Sequence, residues 1–511
     1  MLNWQKFQRP QRYLGNEWNV VQKRIGDGTL RICLCYPDLY EIGMSNLGLR
    51  MIYSLLNEFE GVVCERVFMP AEDMYEFLTK SNTPLFSLET KTPLYKFDVM
   101  GFNLSYELNY ANLLHILYLG RIPLRCKERK RVIVLGGGIV NPHPLSEFVD
   151  VFFLGEFEGK ARKLVEILKK FKDKESRLSA LCEIDGFYVP KFYNNYLKNG
   201  RYYFEKKYPY AKFPLKRVYV KNLNTSYYPF NWLTPYTKIV HDRAQVEIAR
   251  GCPNRCYFCQ ARCFYYPYRE RSVSRVLELV EKIYKSSGYE NFSLMALSAS
   301  DYSHIKLLVE KMVEMFGKKR VGISLPSLRI NDIVGGLYKE LRKLKKVSLT
   351  LALEAATPAL REKINKKIDV DILFKARDII KLLDVRHIKL YFMFGLPEEK
   401  EEDVKEIVSL VRRLKKTLKV RINLSINAFV PKPLSYFSNL PMEKEETLIK
   451  KKEIISQGLL KEKIGSVSFS FIKRSMLEAI LSRADETLSK VIYRAFLLGA
   501  TELSTMAQGK M

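Results

Sequence analysis

Three cysteines carry the chemistry that this chain shows most openly. They stand in Gly251-Cys252-Pro253-Asn254-Arg255-Cys256-Tyr257-Phe258-Cys259-Gln260, a C-x3-C-x2-C spacing. Thiolates this close in sequence can converge on one iron–sulfur cluster. A four-iron cube normally takes four thiolates; this run offers three, which leaves one iron open to another ligand. An open position is what separates a working metal site from a structural one. Cys263 is the nearest fourth thiol, four residues past Cys259, where a helix should have begun. A zinc site usually adds a Cys or His at short range, and no His lies within ten residues on either side. Five His in the whole chain leave little scope for imidazole acid–base or zinc chemistry.

The elements that must hold these thiols follow from the pattern around them. Ala244 to Ala249 is apolar-rich and runs straight into the cysteine loop, as a β/α barrel strand delivers a cofactor loop at its carboxyl end. Strand-like and helix-like runs then alternate. Phe292–Leu297 is followed by Ser298-Ala299-Ser300-Asp301, and Val321–Leu325 by Pro326-Ser327-Leu328-Arg329. Val347–Leu353 ends in Glu354, Val385–Phe394 ends in Gly395-Leu396-Pro397, and Ile422–Val430 is the last clear strand. Arg262, Arg269, Arg271 and Arg275 follow the cluster run and suit either an anionic ligand or a charged helix face.

The first third of the chain alternates in the same way. Arg31–Tyr36, Val62–Phe68, Phe97–Leu104, Arg131–Leu135 and Val149–Leu154 read as buried strands, with helical spacing over Asn46–Phe59, Leu108–Leu119 and Glu158–Phe171. That alternation predicts a parallel, doubly wound sheet, whose ligands bind beyond the carboxyl ends of the strands. The candidates there are Pro37–Ser45, Ser105–Tyr106, Gly136, Gly137 and Gly138, and Gly155–Glu156.

The cysteine spacing, with an aromatic before the last cysteine, resembles the radical S-adenosylmethionine (AdoMet, SAM) superfamily. A parallel-sheet domain in front of it resembles the cobalamin-binding domain of cobalamin-dependent members. More specifically, Tyr36-Pro37-Asp38-Leu39-Tyr40-Glu41-Ile42-Gly43-Met44-Ser45, Gly101-Phe102-Asn103-Leu104-Ser105-Tyr106, Asn141-Pro142-His143-Pro144 and Phe429-Val430-Pro431-Lys432-Pro433 resemble an uncharacterised bacterial family with this two-domain layout.

The resemblance implies a [4Fe-4S] cluster on Cys252, Cys256 and Cys259, and reductive cleavage of AdoMet to a 5′-deoxyadenosyl radical. It also implies an electron donor such as flavodoxin or ferredoxin, and cobalamin-dependent methyl transfer to an unactivated carbon. A rearrangement or sulfur insertion without methyl transfer, or a non-catalytic RNA-associated iron–sulfur protein, are the alternatives. Carried over residue by residue, AdoMet contacts fall on Phe258, Ser298, Ser300, Ser324, Arg329, Glu354, Gly395 and Pro397. Ser298–Ser300 lacks the acidic third residue of the superfamily's segment, and Asp301 is the substitute at hand. Cobalamin contacts fall on Tyr36, Asp38, Tyr40, Gly43, Ser45, Ser105, Gly136, Gly137, Gly138, Gly155 and Glu156. Asp38-x-Tyr40-x-x-Gly43 puts a phenol where cobalt-ligating domains have a His, so the lower face of a bound cobalamin is not expected to be His-ligated.

The composition bounds the rest. The 511 residues suffice for two or three domains. We expect an arm over 1–28, a Rossmann-like domain over 29–175, a β-rich connector over 176–240, a radical AdoMet TIM-like barrel over 241–440 and a helical cap over 441–511. The net charge of +29 fits an anionic partner, tRNA or ribosomal RNA first, as well as it fits a solvated charged surface. Lys191 to Lys221 interleaves aromatics with bases; linking strands are the plainer reading, and a stacking surface for single-stranded nucleic acid the other. An odd cysteine count with a cluster motif points to a reducing cytoplasm. No run of about 18 apolar residues exists, so no membrane span is expected.

Overall fold

The structure, a computed structural model, describes residues 3–198, 201–316, 321–325, 330–343, 349–460, 462 and 464–501. Six strands form the first sheet: β1 (Leu30–Tyr36), β2 (Val62–Phe68), β3 (Val99–Asn103), β4 (Ile133–Gly137), β5 (Val151–Phe153) and β6 (Phe187–Tyr188). Their order is β2-β1-β3-β4-β5-β6, and all pairs are parallel except β5–β6. β1, β2 and β5 are buried along almost their whole length, which is why they read as unbroken apolar runs. The order reverses between β1 and β3, so a crevice opens beyond their carboxyl ends. The helix Leu47–Asn57 starts at that edge, where the Asn46 side chain accepts a hydrogen bond from the Leu49 amide at 2.9 Å.

The 176–240 stretch is not wholly a connector. The helix Lys174–Cys182 opens it, and β6 closes the first sheet as an antiparallel edge. Then β7 (Tyr193–Lys198) and β8 (Arg201–Lys206) pair, among the described residues, only with one another.

The second half begins with β9 (Ala244–Glu247) and the two-residue β10 (Ala249–Arg250), which pairs with β11 (Arg269–Glu270) across the cysteine loop. β12 (Asn291–Met295) lies between β9 and β13 (Gly322–Ser324), all parallel. β14 (Leu349–Glu354), β15 (His387–Phe394), β16 (Arg421–Ala428) and β17 (Val467–Phe469) make a second parallel sheet. The expected barrel strands are thus present and parallel. Among the described residues they form two sheets, and no hydrogen-bonded pair joins β13 to β14. Strands β14 to β16 alternate buried and half-buried residues. Parallel strands covered on both faces do not alternate, so one face of this sheet is half open.

The tail does more than cap the second half. Its last part holds two helices, Ile472–Arg483 and Leu488–Leu497, broken where the Asp485 carboxylate accepts from the Thr487 amide at 2.9 Å. The second packs on the first domain, with Ile492 and Phe496 in that domain's core. Asn141 Nδ2 donates to the Ala484 carbonyl at 2.8 Å and Ser489 Oγ to the Pro144 carbonyl at 3.0 Å. Residues 3–28 are tied to the first domain. Arg12 pairs with Glu41 at 2.8 Å, and Glu17 with the buried Arg66 at 2.8 Å.

His115 sits under this tail. Its Nε2–H donates to the Ala500 carbonyl at 2.9 Å, and its Nδ1 accepts from Tyr75 Oη at 2.8 Å. Burial holds its pKa below the ordinary value. The neutral ring is therefore favoured in the folded state, and its contribution is present above the unfolded value of about 6.5 and lost as pH falls through the lower folded value. Proteolysis within Leu488–Leu497 should speed up between pH 7.5 and pH 5.5 in the native chain, and this acceleration should shrink in His115→Gln.

Candidate active site

The strand β9 aims the cysteine loop, and glycine makes its first turn. Gly251 has φ +86°, and a Cβ there would lie 2.7 Å from the Tyr265 carbonyl oxygen and 2.8 Å from that of Pro267. Only a residue without a side chain brings Cys252 this close to the returning chain. The loop is tied on several sides. The Asn254 amide lies 3.3 Å from Cys252 Sγ and donates to Asp301 at 2.6 Å. Asn365 donates to the Arg255 carbonyl at 2.7 Å, and the Tyr257 amide to the Ile364 carbonyl at 3.0 Å.

The three thiols are electrostatic neighbours. Burial pushes Cys256 and Cys259 up, the other thiols add to this, and Lys366 counters it for both. Amides of Arg262 and Ala261 also point at the Cys259 sulfur and favour its thiolate. Among the described residues no three His, Cys, Asp or Glu side chains converge as a single ion would require. Cys263 lies on the helix Gln260–Phe264, one turn beyond the loop.

Around the loop the structure brings several expected residues together. Phe258 packs with Tyr257 against a small apolar cluster that holds Ala355 and Leu396, next to Glu354 and between Gly395 and Pro397. Glu354 has φ +67° at an irregularity in β14, an uncommon conformation for a side-chain-bearing residue and one associated with functional sites. Burial raises its pKa, and Lys366 lies 3.7 Å away. Ser298 and Ser300 begin and continue a short turn after β12 that ends in Asp301, beside Asn254. Ser324 ends β13 and accepts from Arg243 at 3.4 Å. Arg329 lies outside the described residues.

Sequence reasoning missed Asn254, Asn365 and Lys366. It also missed the half-open face of the second sheet, which carries Lys389, Tyr391, Met393, Asn423, Ser425 and Asn427. The period-2 alternation of β15 and β16 is the signal that marks them.

A cavity of about 500 Å³ lies between the two domains, within the usual range for cofactor sites of about 300–1,000 Å³. Ser45, Ser105, Gly137, Gly138, Gly155 and Glu156 line it from the first sheet's carboxyl ends, and Ala249, Arg250 and Gly251 from the second half. Five expected contacts do not reach it. Tyr40 is buried, donates to Glu17 at 2.9 Å and packs edge-on to Phe68. Tyr36 and Asp38 are buried, and a Cβ on Gly43 or Gly136 would strike Phe68 or Leu104 and Phe152. These residues shape the sheet and its first turn, not the cavity wall.

Glu156 lines the cavity but is engaged by arginines. Arg269 grips it at 2.7 and 2.8 Å and Arg250 approaches at 3.0 Å. Arg250 also binds Glu158 at 2.7 Å and Glu247 at 2.8 Å. Arg271, 1 % exposed, reaches Glu247 at 3.3 Å. Of the arginines after the cluster, Arg269 therefore clamps the two domains through Glu156, and Arg271 is held by Glu247 and Ser226 rather than awaiting an anion. Glu156→Gln should cost about 3 kcal/mol in chemical denaturation, because it leaves buried guanidinium charge uncompensated.

Family models match on both halves: "Radical SAM proteins, N-terminal" over residues 48–190 and "Radical SAM superfamily" over 246–411. The uncharacterised protein MJ0966 of Methanocaldococcus jannaschii is 30% identical over 464 residues, 90% of each chain. The chain belongs to the radical SAM superfamily. It is a radical SAM enzyme, and the superfamily's cofactors are a [4Fe-4S] cluster and S-adenosylmethionine.

The ribosomal protein uS12 methylthiotransferase RimO of Petrotoga mobilis is 24% identical over 47% of this chain and 52% of its own. The radical S-adenosylmethionine methyltransferase TsrM of Kitasatospora setae, solved with cobalamin and a [4Fe-4S] cluster bound, shares the fold. Its TM-score is 0.51 at 13% identity, over 80% of this chain and 74% of that one. No helix among the described residues is long and apolar enough to cross a membrane.

Proposed function

We propose that this radical SAM enzyme holds its cluster on Cys252, Cys256 and Cys259, holds cobalamin in the interdomain cavity, and transfers a methyl group to an unactivated carbon. When bound, the cluster and AdoMet supply a 5′-deoxyadenosyl radical, and cobalamin supplies the methyl group. The observation that carries the reading is the cavity's position. One wall is the ligand edge of a doubly wound sheet, and the other ends at Gly251, next to Cys252.

The lining fits an amide-fringed macrocycle. Gly137 presents open space where a Cβ would stand. Gln245, 2 % exposed, also lines the cavity, and its Oε1 has no hydrogen-bond partner. A buried acceptor left unpaired is costly, and an amide N–H of a bound corrin would satisfy it. Tyr40 would not contribute to holding the group, because its hydroxyl is committed to Glu17.

Around AdoMet, the residues' work is binding and orientation. Asp301 and the turn from Ser298 to Ser300 take its amino group. Phe258 and the Gly395–Pro397 segment flank the adenine, and Ser324 and Glu354 are placed for the ribose. Tyr391, Ser425 and Asn427 on the half-open face are placed for the substrate.

The likeness to the methylthiotransferase RimO over half the chain favours a second reading, sulfur insertion that does not use cobalamin. One preparation separates the two. The protein is reconstituted anaerobically with iron, sulfide and hydroxocobalamin, then given AdoMet and a strong reductant. Bound corrin absorbance together with 5′-deoxyadenosine supports the first reading. 5′-Deoxyadenosine without retained corrin supports the second, and neither product nor corrin overturns both.

A further inference from the structure

We propose that the β7–β8 ribbon and the segment following it form a docking surface for single-stranded RNA that leads to the interdomain cavity. This extends the reading above to a substrate class. RNA binding is measured without reductant or AdoMet, so its failure is distinguishable from failure of the radical chemistry.

Four observations converge. First, charge: residues 191–221 hold nine Lys or Arg and one acidic residue, Glu205. Lys206, Lys207, Lys212, Lys216 and Lys221 are all exposed. Second, rings: the inner side of the ribbon is packed, with Phe204 stacked on the buried Tyr193 at 4.6 Å. Beyond it the aromatics face solvent. Tyr208 is 44% exposed, Tyr210 41%, Phe213 57% and Tyr219 41%. Tyr208 and Tyr210 lie nearly parallel, their centroids 5.5 Å apart. Tyr208 and Tyr210 flank Phe192 and Phe213 stacks on Phe204, so these exposed rings gather along the ribbon as at an interaction surface.

Third, isolation: among the described residues β7 and β8 pair with no other strand, so the ribbon does not extend either sheet there. Fourth, direction: the chain runs from these rings to the cavity. The Val218 amide donates to the Leu154 carbonyl at 3.0 Å, and the Val218 carbonyl accepts from Glu156 at 2.9 Å. That places Val218 against Gly155 and Glu156, which line the cavity, with Tyr219 next in the chain. Arg217 donates to the carbonyl of Tyr266, itself 64% exposed and adjacent to the cavity-lining Tyr265.

Bases alternating with rings are what a single strand recognises. Lysines follow the phosphates and unstacked bases lie on aromatic faces. A duplex keeps its bases stacked and gains nothing from the rings. An anionic membrane would be met by a helix with Leu, Phe or Trp on one face, whereas these rings are mostly tyrosines on a ribbon and an irregular segment. Their phenols can exchange hydrogen bonds with a ribose 2′-hydroxyl, which DNA lacks.

The test is fluorescence anisotropy of the full-length chain with a labelled oligouridylate of about 20 nucleotides, long enough to cover site sizes of about 4–16 nucleotides. Affinity should fall steeply between about 50 and 200 mM salt, with a log–log slope of about −0.7 for each phosphate contacted. Tyr208→Ala/Tyr210→Ala/Phe213→Ala should weaken binding at least about tenfold at unchanged slope, since each stacked base is worth roughly a factor of ten. Lys206→Ala/Lys207→Ala/Lys212→Ala, on exposed side chains that the core does not need, should flatten the slope by about 2. Circular dichroism and iron content should match the parent in both.

The proposal is overturned if oligouridylate is not bound, or if the ring variant binds as the parent does. It is equally overturned if a duplex or oligothymidylate of the same length binds as tightly. Phosphatidylglycerol vesicles bound through the same rings, with no RNA affinity, would assign the surface to a membrane instead.

Discussion

Alanine in place of Cys252, Cys256 or Cys259, one at a time, should reduce 5′-deoxyadenosine formation to the level of a protein-free control. Bound iron and the brown cluster absorbance should fall with it. The loop leaves no substitute close by. It is pinned by Asn254, Asn365 and the Tyr257 amide, and Cys263 belongs to the helix that follows. A cube left with two thiolates from this loop would be exposed and labile. Cys263→Ala is the internal control, since its thiol lies outside the loop, and it should keep both iron and product. The readout is iron and sulfide content with product quantified by mass spectrometry. Full cleavage by any of the three loop variants, or a collapse of Cys263→Ala to background, would remove the assignment of cluster ligands.

The second large effect is expected from filling the cavity. Gly137→Trp should abolish corrin retention while leaving cluster iron at the parent level. The backbone at Gly137 is open to a side chain, because nothing lies within 4 Å of where its Cβ would stand. An indole there projects into free space rather than into the sheet, so the domain should fold. The cavity of about 500 Å³ would lose the part of its volume next to the ends of β3 and β4. The measurement is corrin absorbance per chain after reconstitution and desalting, beside iron content. Undiminished corrin in a folded Gly137→Trp would mean that cobalamin, if held, is held elsewhere. Gln245→Leu gives a milder test, since it removes the unpaired acceptor without narrowing the space, and it should weaken corrin binding by about tenfold.

The interdomain arginines bear on both experiments. Glu156, Glu158 and Glu247 face Arg250, Arg269 and Arg271 at the seam. Removing one partner of such a buried network is costly even where the intact network contributes little net stability. Substitutions there will therefore disturb the cavity and the cysteine loop together. Gly137 and the cysteines are cleaner probes because each sits on one side of the seam.

Much of this protein was legible from its sequence because local rules set it. The cysteine spacing, the strand that delivers it and the parallel strands of both halves follow from short-range pattern, and β2 was bounded to the residue. Apolar runs announce strands buried on both faces, and the helical spacing that begins at Asn46 announces the helix that Asn46 caps. What sequence left unsettled depended on contacts between distant segments. Tyr40 and Asp38 fit a ligand motif by position, but the fold turns them into the core behind the cavity wall. Glu156 and Arg269 each looked like ligand contacts, and across 113 residues of chain they bind one another. Lys366 and Asn365 come to the cysteine loop from more than a hundred residues away. The basic and aromatic run at 191–221 reads from sequence more plainly as linking strands than as a stacking surface, and only the fold separates its rings: Tyr193 is buried and Tyr208 is not. Spacing along the chain determines which side chains share a strand or a turn; only packing decides whether they meet solvent, a cavity or an opposite charge, because burial energy is shared among elements that the sequence does not place side by side.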